Sequence, residues 1–317
     1  MAAEVARLTE LLQSADVATR QLALTELEDV LDDTALEPLL VAARDADATV
    51  RELAIVLLDE LGDARGITAI VAALADDAER VRQVAAAAVR DSRLPEAVDL
   101  LLKNLTHPQA EVRAASIAGL REHRAAKAEL PLLALLEDEA TEVRGQAVVA
   151  LGHLRSEGSI AALRQRFHDR EPVVRRLAIG ALDYARTTEV GLALVELLRD
   201  VDWRVRADAS KQLAKHGSAK AARDLAALLH DAEWQVRKEA VIALGEVAAA
   251  EQAPELIPLL DDAVPDVRRA AASALAKLHA TFATARLQQL LQDSDNEVVK
   301  AARRALVTLS SCQRAAH

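Results

Sequence analysis

Residues 45–62 read DADATVRELAIVLLDELG, and the order of events in that stretch decides the fold. An acidic turn, Asp45-Ala46-Asp47, is followed by a run in which Val50, Ala54, Leu58 and Leu61 fall at i, i+4, i+8 and i+11. That is the spacing of one buried stripe on an α-helix. Upstream, Leu36, Leu39 and Leu40 mark a first apolar helix, so the unit is a helical hairpin. Outward from here the pattern recurs. The Val-Arg pair at 50 returns at 81, 112, 143, 174, 205, 236 and 267, always 31 residues on. The register extends back to Thr19-Arg20 and forward to Val298-Val299, giving ten repeats with no insertion between equivalent positions. A fixed period of this length predicts a repeat array rather than two ordinary globular domains.

Two columns carry the packing. Four positions after Val stand Ala23, Ala54, Ala85, Ser116 and then alanine from Ala147 through Ala302, so neighbouring helices can approach closely. Eight positions after Val the column is leucine, interrupted only by Val89. The turns have their own column, six residues before the arginine: Asp45, Asp76, Asp138, Asp169, Asp200, Asp231, Asp262 and Asp293, with Ser14 and His107 as exceptions. An Asp there can accept backbone N–H bonds at a helix start and pair with an Arg one turn into that helix. Nine arginines, Arg20 through Arg268, therefore predict a structural ladder, with Asp45 and Arg51, Asp76 and Arg82, Asp138 and Arg144, Asp200 and Arg206, and Asp231 and Arg237 among its members. A row of arginines also has the look of a phosphate site; a ladder of Asp-tied arginines is the reading adopted.

The Asp-x5-Arg spacing, the Val-Arg-x-x-Ala-x-x-x-Leu string and the turn Leu61-Gly62-Asp63-Ala64-Arg65 resemble the HEAT repeat superfamily, in particular its short bacterial variant, the phycobilisome-lyase HEAT-like repeats. The resemblance covers residues 3–310. It implies an all-α, right-handed α-solenoid of ten hairpins whose second helices line a concave face, in one array spanning residues 1–317. Family members include scaffolds, adaptors, assembly factors and a few enzymes, bilin lyases among them. With helices packed ~8–10 Å apart, ten hairpins would form an arc on the order of 90–100 Å. The ends fit the register: Glu26 and Arg303 put charge where inner repeats are mostly apolar, as terminal repeats require.

Composition agrees. Hydrophobic residues make up 51% of the chain but aromatics only 2%, so alanine and leucine must build the core. With 10 Gly and 8 Pro, an all-β or disordered chain is disfavoured. Cys312 is the single cysteine, expected to be an exposed thiol in a C-terminal tail. The N-terminus has no secretory pattern, and no stretch approaches the ~18 apolar residues of a membrane span, so a soluble cytoplasmic protein is predicted. The net charge of −11 lies wholly in residues 1–105, which hold 21 acids and 10 bases; the remainder holds 29 of each. Such a field disfavours generic nucleic-acid binding.

No phosphate-cradling loop, nucleophile elbow or paired-cysteine motif is present, and the fixed period leaves no room for a catalytic insertion. The His-Glu dipeptides of HEAT-repeat hydroxylases are absent, so neither a metal nor a cofactor is expected. The predicted function is a protein-binding scaffold, adaptor or assembly factor. An enzyme or cofactor chaperone of the bilin-lyase type is the alternative, and nucleic-acid binding comes third. Ten positions after Val the column runs Asp29, Glu60, Asp91, Glu122, His153, Tyr184, Lys215, Glu246, Lys277. Glu60, Asp91 and Glu122 predict a zone for a partner's basic segment, with His153, Tyr184 and Lys215 anchoring its neighbouring part; ordinary surface drift is the competing reading. Trp203 and Trp234 share one turn position in adjacent repeats, either as staples over helix starts or as an exposed ridge. Ser210 and Gln212 interrupt apolar columns of repeat 7, a flexing point unless they hydrogen-bond locally.

Overall fold

The computed structural model describes residues 2–216 and 219–315. The side chain of Cys312 lies outside the described residues. The described residues are helices and turns with no strand, an all-α solenoid architecture of stacked hairpins. They form two compact units, Met1–Ala162 and Leu163–His317. In unit 1 the second helices of the five hairpins are Val17–Glu28, Ala48–Leu61, Glu79–Asp91, Ala110–Glu122 and Thr141–Leu154. In unit 2 they are Pro172–Ala181, Trp203–His216, Trp234–Glu246, Pro265–Lys277 and Asn296–Ala315.

The quoted stretch folds as its pattern requires. Val50, Ala54 and Leu58 are at most 1% exposed. Asp47 caps the helix, its Oδ1 accepting the N–H groups of Thr49 and Val50 at 3.0 and 3.1 Å. Gly62 ends it in the left-handed region at φ 64. The same column holds Arg124, Arg155, Ala248 and His279 at φ 47 to 54, so the stop is set by the fold and these four residues bear its steric cost. Five of the first helices among the described residues are six residues long and tighten into a 3-10 turn, as Ile67–Ala72 does into Ala73–Ala75. In repeat 9 the first helix, Ala250–Asp261, is 3-10 throughout, with Pro254 and Pro258 each removing a backbone donor.

The ladder exists, but its rungs run between repeats. Arg20, Arg51, Arg113, Arg175, Arg206, Arg237 and Arg268 each place Nε and Nη2 on both carboxylate oxygens of an Asp 25 residues later, at 2.6–3.0 Å. Arg51 therefore pairs with Asp76, Arg206 with Asp231 and Arg237 with Asp262; pairing of these arginines with the Asp carboxylate of their own turn is corrected. The own-turn Asp contributes only its backbone carbonyl, which accepts Nη1 of Arg51, Arg82, Arg144, Arg206 and Arg237 at 2.8–2.9 Å. Meanwhile Asp45, Asp76, Asp138, Asp200, Asp231, Asp262 and Asp293 each accept the N–H two residues on, as Asp138 does from Ala140, and present both oxygens to the preceding repeat's arginine. A solenoid's stability includes nearest-neighbour terms, and each rung adds one.

Two second helices approach closely at Gly245. A Cβ on Gly245 would lie 3.1 Å from Ala274 Cβ and 3.2 Å from its Cα, whereas one on Gly180 meets nothing within 4 Å. Gly180→Ala is accordingly expected to raise stability by about 0.5–1 kcal/mol. Gly245→Ala, pressed against helix backbone, is expected to lower it by about 1–2 kcal/mol. Urea denaturation of the two variants beside wild type checks both signs; stabilisation by the two alike would refute the close approach.

Candidate partner-binding surface

Along each unit the second helices carry a partly exposed strip, built mainly from the positions six and ten after the Val column, with exposed residues at two and nine in some repeats. On unit 1 its middle is small and apolar: Val56 (43% exposed), Ala87, Ala118 and Val149. Beside that floor runs an acidic border. Glu28, Asp29, Asp59, Glu60, Asp91 and Glu122 are all exposed. Asp91 and Glu122 touch the arginines next to them in sequence, Arg90 at 3.6 Å and Arg121 at 3.0 Å. Glu28, Asp29, Asp59 and Glu60 make no ion pair among the described residues. Partial burial, and then the charge of Asp91, push Asp59 above the ordinary carboxylate range. Like charges held this close leave the face with repulsion that a bound cation would relieve. His153 is exposed at the end of the same column, its Nδ1 2.9 Å from the carbonyl of Val149.

Unit 2 carries the opposite sign. The columns two and six after Val bring Arg176, Lys211, Lys238, Arg269, Lys300 and Arg304 to its second-helix face, and the column ten after Val adds Lys215 and Lys277. Several of these cations have acidic neighbours: Arg176 bonds Asp208 at 2.6 Å, Arg269 bonds Asp266 at 2.6 Å, and Lys277 pairs with Glu246. Exposed pairs of this kind are worth at most about 1 kcal/mol each, so a partner's carboxylates could exchange into them. A cavity of about 260 Å³ opens on this face, lined by Lys238, Ile242, Asp266, Arg269, Ser273 and Lys277 among others. Most of this basic stripe lies in the columns two and six after Val, outside the column ten after Val that marks the acidic zone, although the same period displays it.

Tyr184 departs from its expected place on a helix face. The helix of repeat 6 stops at Ala181, and Tyr184 lies half-buried in the turn beyond it. Gly180, a poor helix former, stands in that last turn. Lys215 is exposed on its helix and reaches Asp183 at 3.4 Å. The two tryptophans are the first residues of their helices rather than turn residues. Both are half-buried, and each ring lies under a cation: Arg204 stands 4.8 Å from the centroid of Trp203, and Lys238 5.4 Å from that of Trp234. In repeat 7, Ser210 is fully buried and donates to the carbonyl of Arg206 at 2.9 Å, the local bond that makes it tolerable. Gln212 is 4% exposed and its Nε2 has no partner, so only half of the polar interruption is satisfied.

His123 and His216 share a column at a second-helix end, and both have a buried Nε2 without a hydrogen-bond partner. Burial first, then Arg93 and Arg186 respectively, hold both imidazoles below their usual range. Among the described residues no group of three or more metal-ligating side chains forms. No described helix is long and apolar enough to cross a membrane.

The family model for HEAT repeats matches residues 5–90, 98–183, 165–236 and 223–307. The chain belongs to the HEAT repeat family. The HEAT repeats thus run through both units and across the faces described above. A search of the curated proteins finds no match. Among solved structures, an engineered protein is similar at 23% identity and a TM-score of 0.57, over 97% of this chain and 99% of that one. The structure in which Kap95p binding induces the switch loops of RanGDP to adopt the GTP-bound conformation contains a chain with a TM-score of 0.63 and 13% identity. That match covers 97% of this chain and 49% of the other. Both likenesses are of fold.

Proposed function

We propose that this HEAT-repeat chain is a protein-binding scaffold, an adaptor or assembly factor, whose partner carries separated charges. A basic segment lies along the acidic second-helix face of repeats 1–4, with His153 at its end. An acidic segment lies on the basic face of unit 2, near Tyr184 and Lys215. The observation that carries this reading is the row of exposed acids beside an apolar floor on unit 1, where Glu28, Asp29, Asp59 and Glu60 have no ion-pair partner among the described residues. Unpaired charge of one sign steers and selects a partner of the other. Floor residues such as Val56 supply the apolar contact that charge alone lacks.

Two labelled twelve-residue peptides, one rich in Lys and Arg and one rich in Asp and Glu, test the proposal by fluorescence anisotropy. Glu60→Lys with Asp91→Lys is expected to weaken the basic peptide by about 10-fold or more and to flatten its salt dependence, while the acidic peptide keeps its affinity. Unchanged affinity and salt dependence for the basic peptide would overturn the electrostatic half. If duplex DNA outcompetes the acidic peptide on the wild-type protein, the unit 2 face reads phosphates and the partner assignment there fails.

A further inference from the structure

One rung of the ladder ends differently. Arg82 is oriented like its equivalents: its Nη1 donates to the carbonyls of Asp76 at 2.8 Å and Asp77 at 2.9 Å. Its Nε and Nη2 should then meet the carboxylate 25 residues on, but that residue is His107. No carboxylate reaches Arg82 among the described residues, whereas seven equivalent arginines each hold one through two bonds. His107 takes over only part of the missing Asp's work. Its Nδ1 accepts the N–H of Gln109 at 3.2 Å, as the Asp oxygen does elsewhere. With Nδ1 accepting, the neutral ring carries its hydrogen on Nε2 and becomes a donor. Its backbone is fixed from the other side, its carbonyl accepting Nη1 of Arg113 at 2.8 Å.

We propose that Arg82 and His107 form a carboxylate-binding site at the junction of repeats 3 and 4. The guanidinium edge is preorganised by its two carbonyl bonds, and it offers the planar two-donor fork that fits a carboxylate. The position demands that chemistry, because at Arg20, Arg51 and Arg113 of the same unit an Asp side chain fills it. The surrounding unit is acidic, which favours a singly charged carboxylate over a phosphate dianion. The ligand is a free carboxylate or an Asp or Glu side chain of a bound protein. This site lies on the turns and does not depend on the second-helix face.

Nε–H nuclear magnetic resonance of arginine reads the site directly. Titration of the wild-type protein with sodium acetate, against sodium chloride at equal ionic strength, is expected to shift the Arg82 Nε resonance saturably with acetate alone. In His107→Asp, Arg82 should resonate with the seven paired arginines and ignore acetate. Arg82→Gln should remove the responding signal while leaving the others in place. A terminally blocked aspartate peptide that saturates at 10-fold lower concentration than acetate assigns the site to a protein side chain; equal concentrations assign it to free carboxylates. Should Arg82 already group with the paired arginines in anion-free wild type, or respond equally to chloride, the proposal is wrong.

Discussion

Asp138→Ala is expected to destabilise unit 1 by about 3 kcal/mol, read as a lowered urea midpoint with unchanged slope. The Asp138 and Arg113 side chains are 8% and 9% exposed and are joined by bonds of 2.8 and 2.7 Å. Truncating the Asp leaves a largely buried guanidinium without its paired carboxylate, and strands the N–H of Ala140 as well. Asp138→Asn should cost less, since its oxygen still accepts that N–H. Adding Arg113→Met to Asp138→Asn should recover about 1–2 kcal/mol of the loss expected by addition, because the unpaired charge goes with the arginine. Full additivity would show that the rung contributes no coupling between repeats 4 and 5.

The same rung sets a pH dependence. Burial pushes the Asp138 carboxyl up, but the Arg113 fork and the Ala140 N–H pull it down further, and the balance lies below the ordinary carboxylate value. Asp45, Asp76 and Asp262 are likewise lowered. A group whose folded pKa is depressed contributes stability that is fully present above its unfolded value, about 4, and is lost as pH falls through the folded value. Acid unfolding should therefore begin below about pH 4, with a shallower limb in Asp138→Ala than in wild type. Identical acid limbs would detach the ladder from acid stability.

The 31-residue period made the hairpin, its buried Val, Ala and Leu columns and the row of ladder arginines legible without coordinates, although Arg82, read as tied to an Asp, holds no carboxylate among the described residues. The direction of the rungs was not. In an exact repeat, the Asp six positions before an arginine and the Asp 25 positions after it occupy the same column, so spacing cannot choose between them. Tyr184 was misplaced on a helix because the column assumes equal helices, whereas the helix of repeat 6 ends at Ala181. The acidic face of unit 1 was visible in Glu60 and Asp91, but the basic face of unit 2 required reading the columns of Arg269 and Ile242 together. The division into two units leaves no mark on the period, which passes unbroken through repeat 6.

Phe167→Ala is expected to cost unit 2 about 3–5 kcal/mol, and the reason lies in a single column. Seven positions before Val the buried residues are Leu74, Leu105, Leu136, Leu198, Leu229 and Leu260, each at most 3% exposed. Phe167 stands among them at 1% and is the largest fully buried side chain of the described residues. Its 3-10 turn, Arg166–His168, packs against the helix Pro172–Ala181, the shortest second helix of the array. Truncation to alanine loses the transfer energy of the ring and leaves a cavity that stacked hairpins cannot easily collapse. Phe167→Leu, which restores the column's usual residue, should cost no more than about 1–1.5 kcal/mol. Hydrogen exchange should accelerate first in repeats 6 and 7 for the alanine variant, because a solenoid loses stability through its nearest-neighbour interfaces. A loss below about 1 kcal/mol for Phe167→Ala would mean that the ring is dispensable and that the short helix is held by its backbone and neighbours alone.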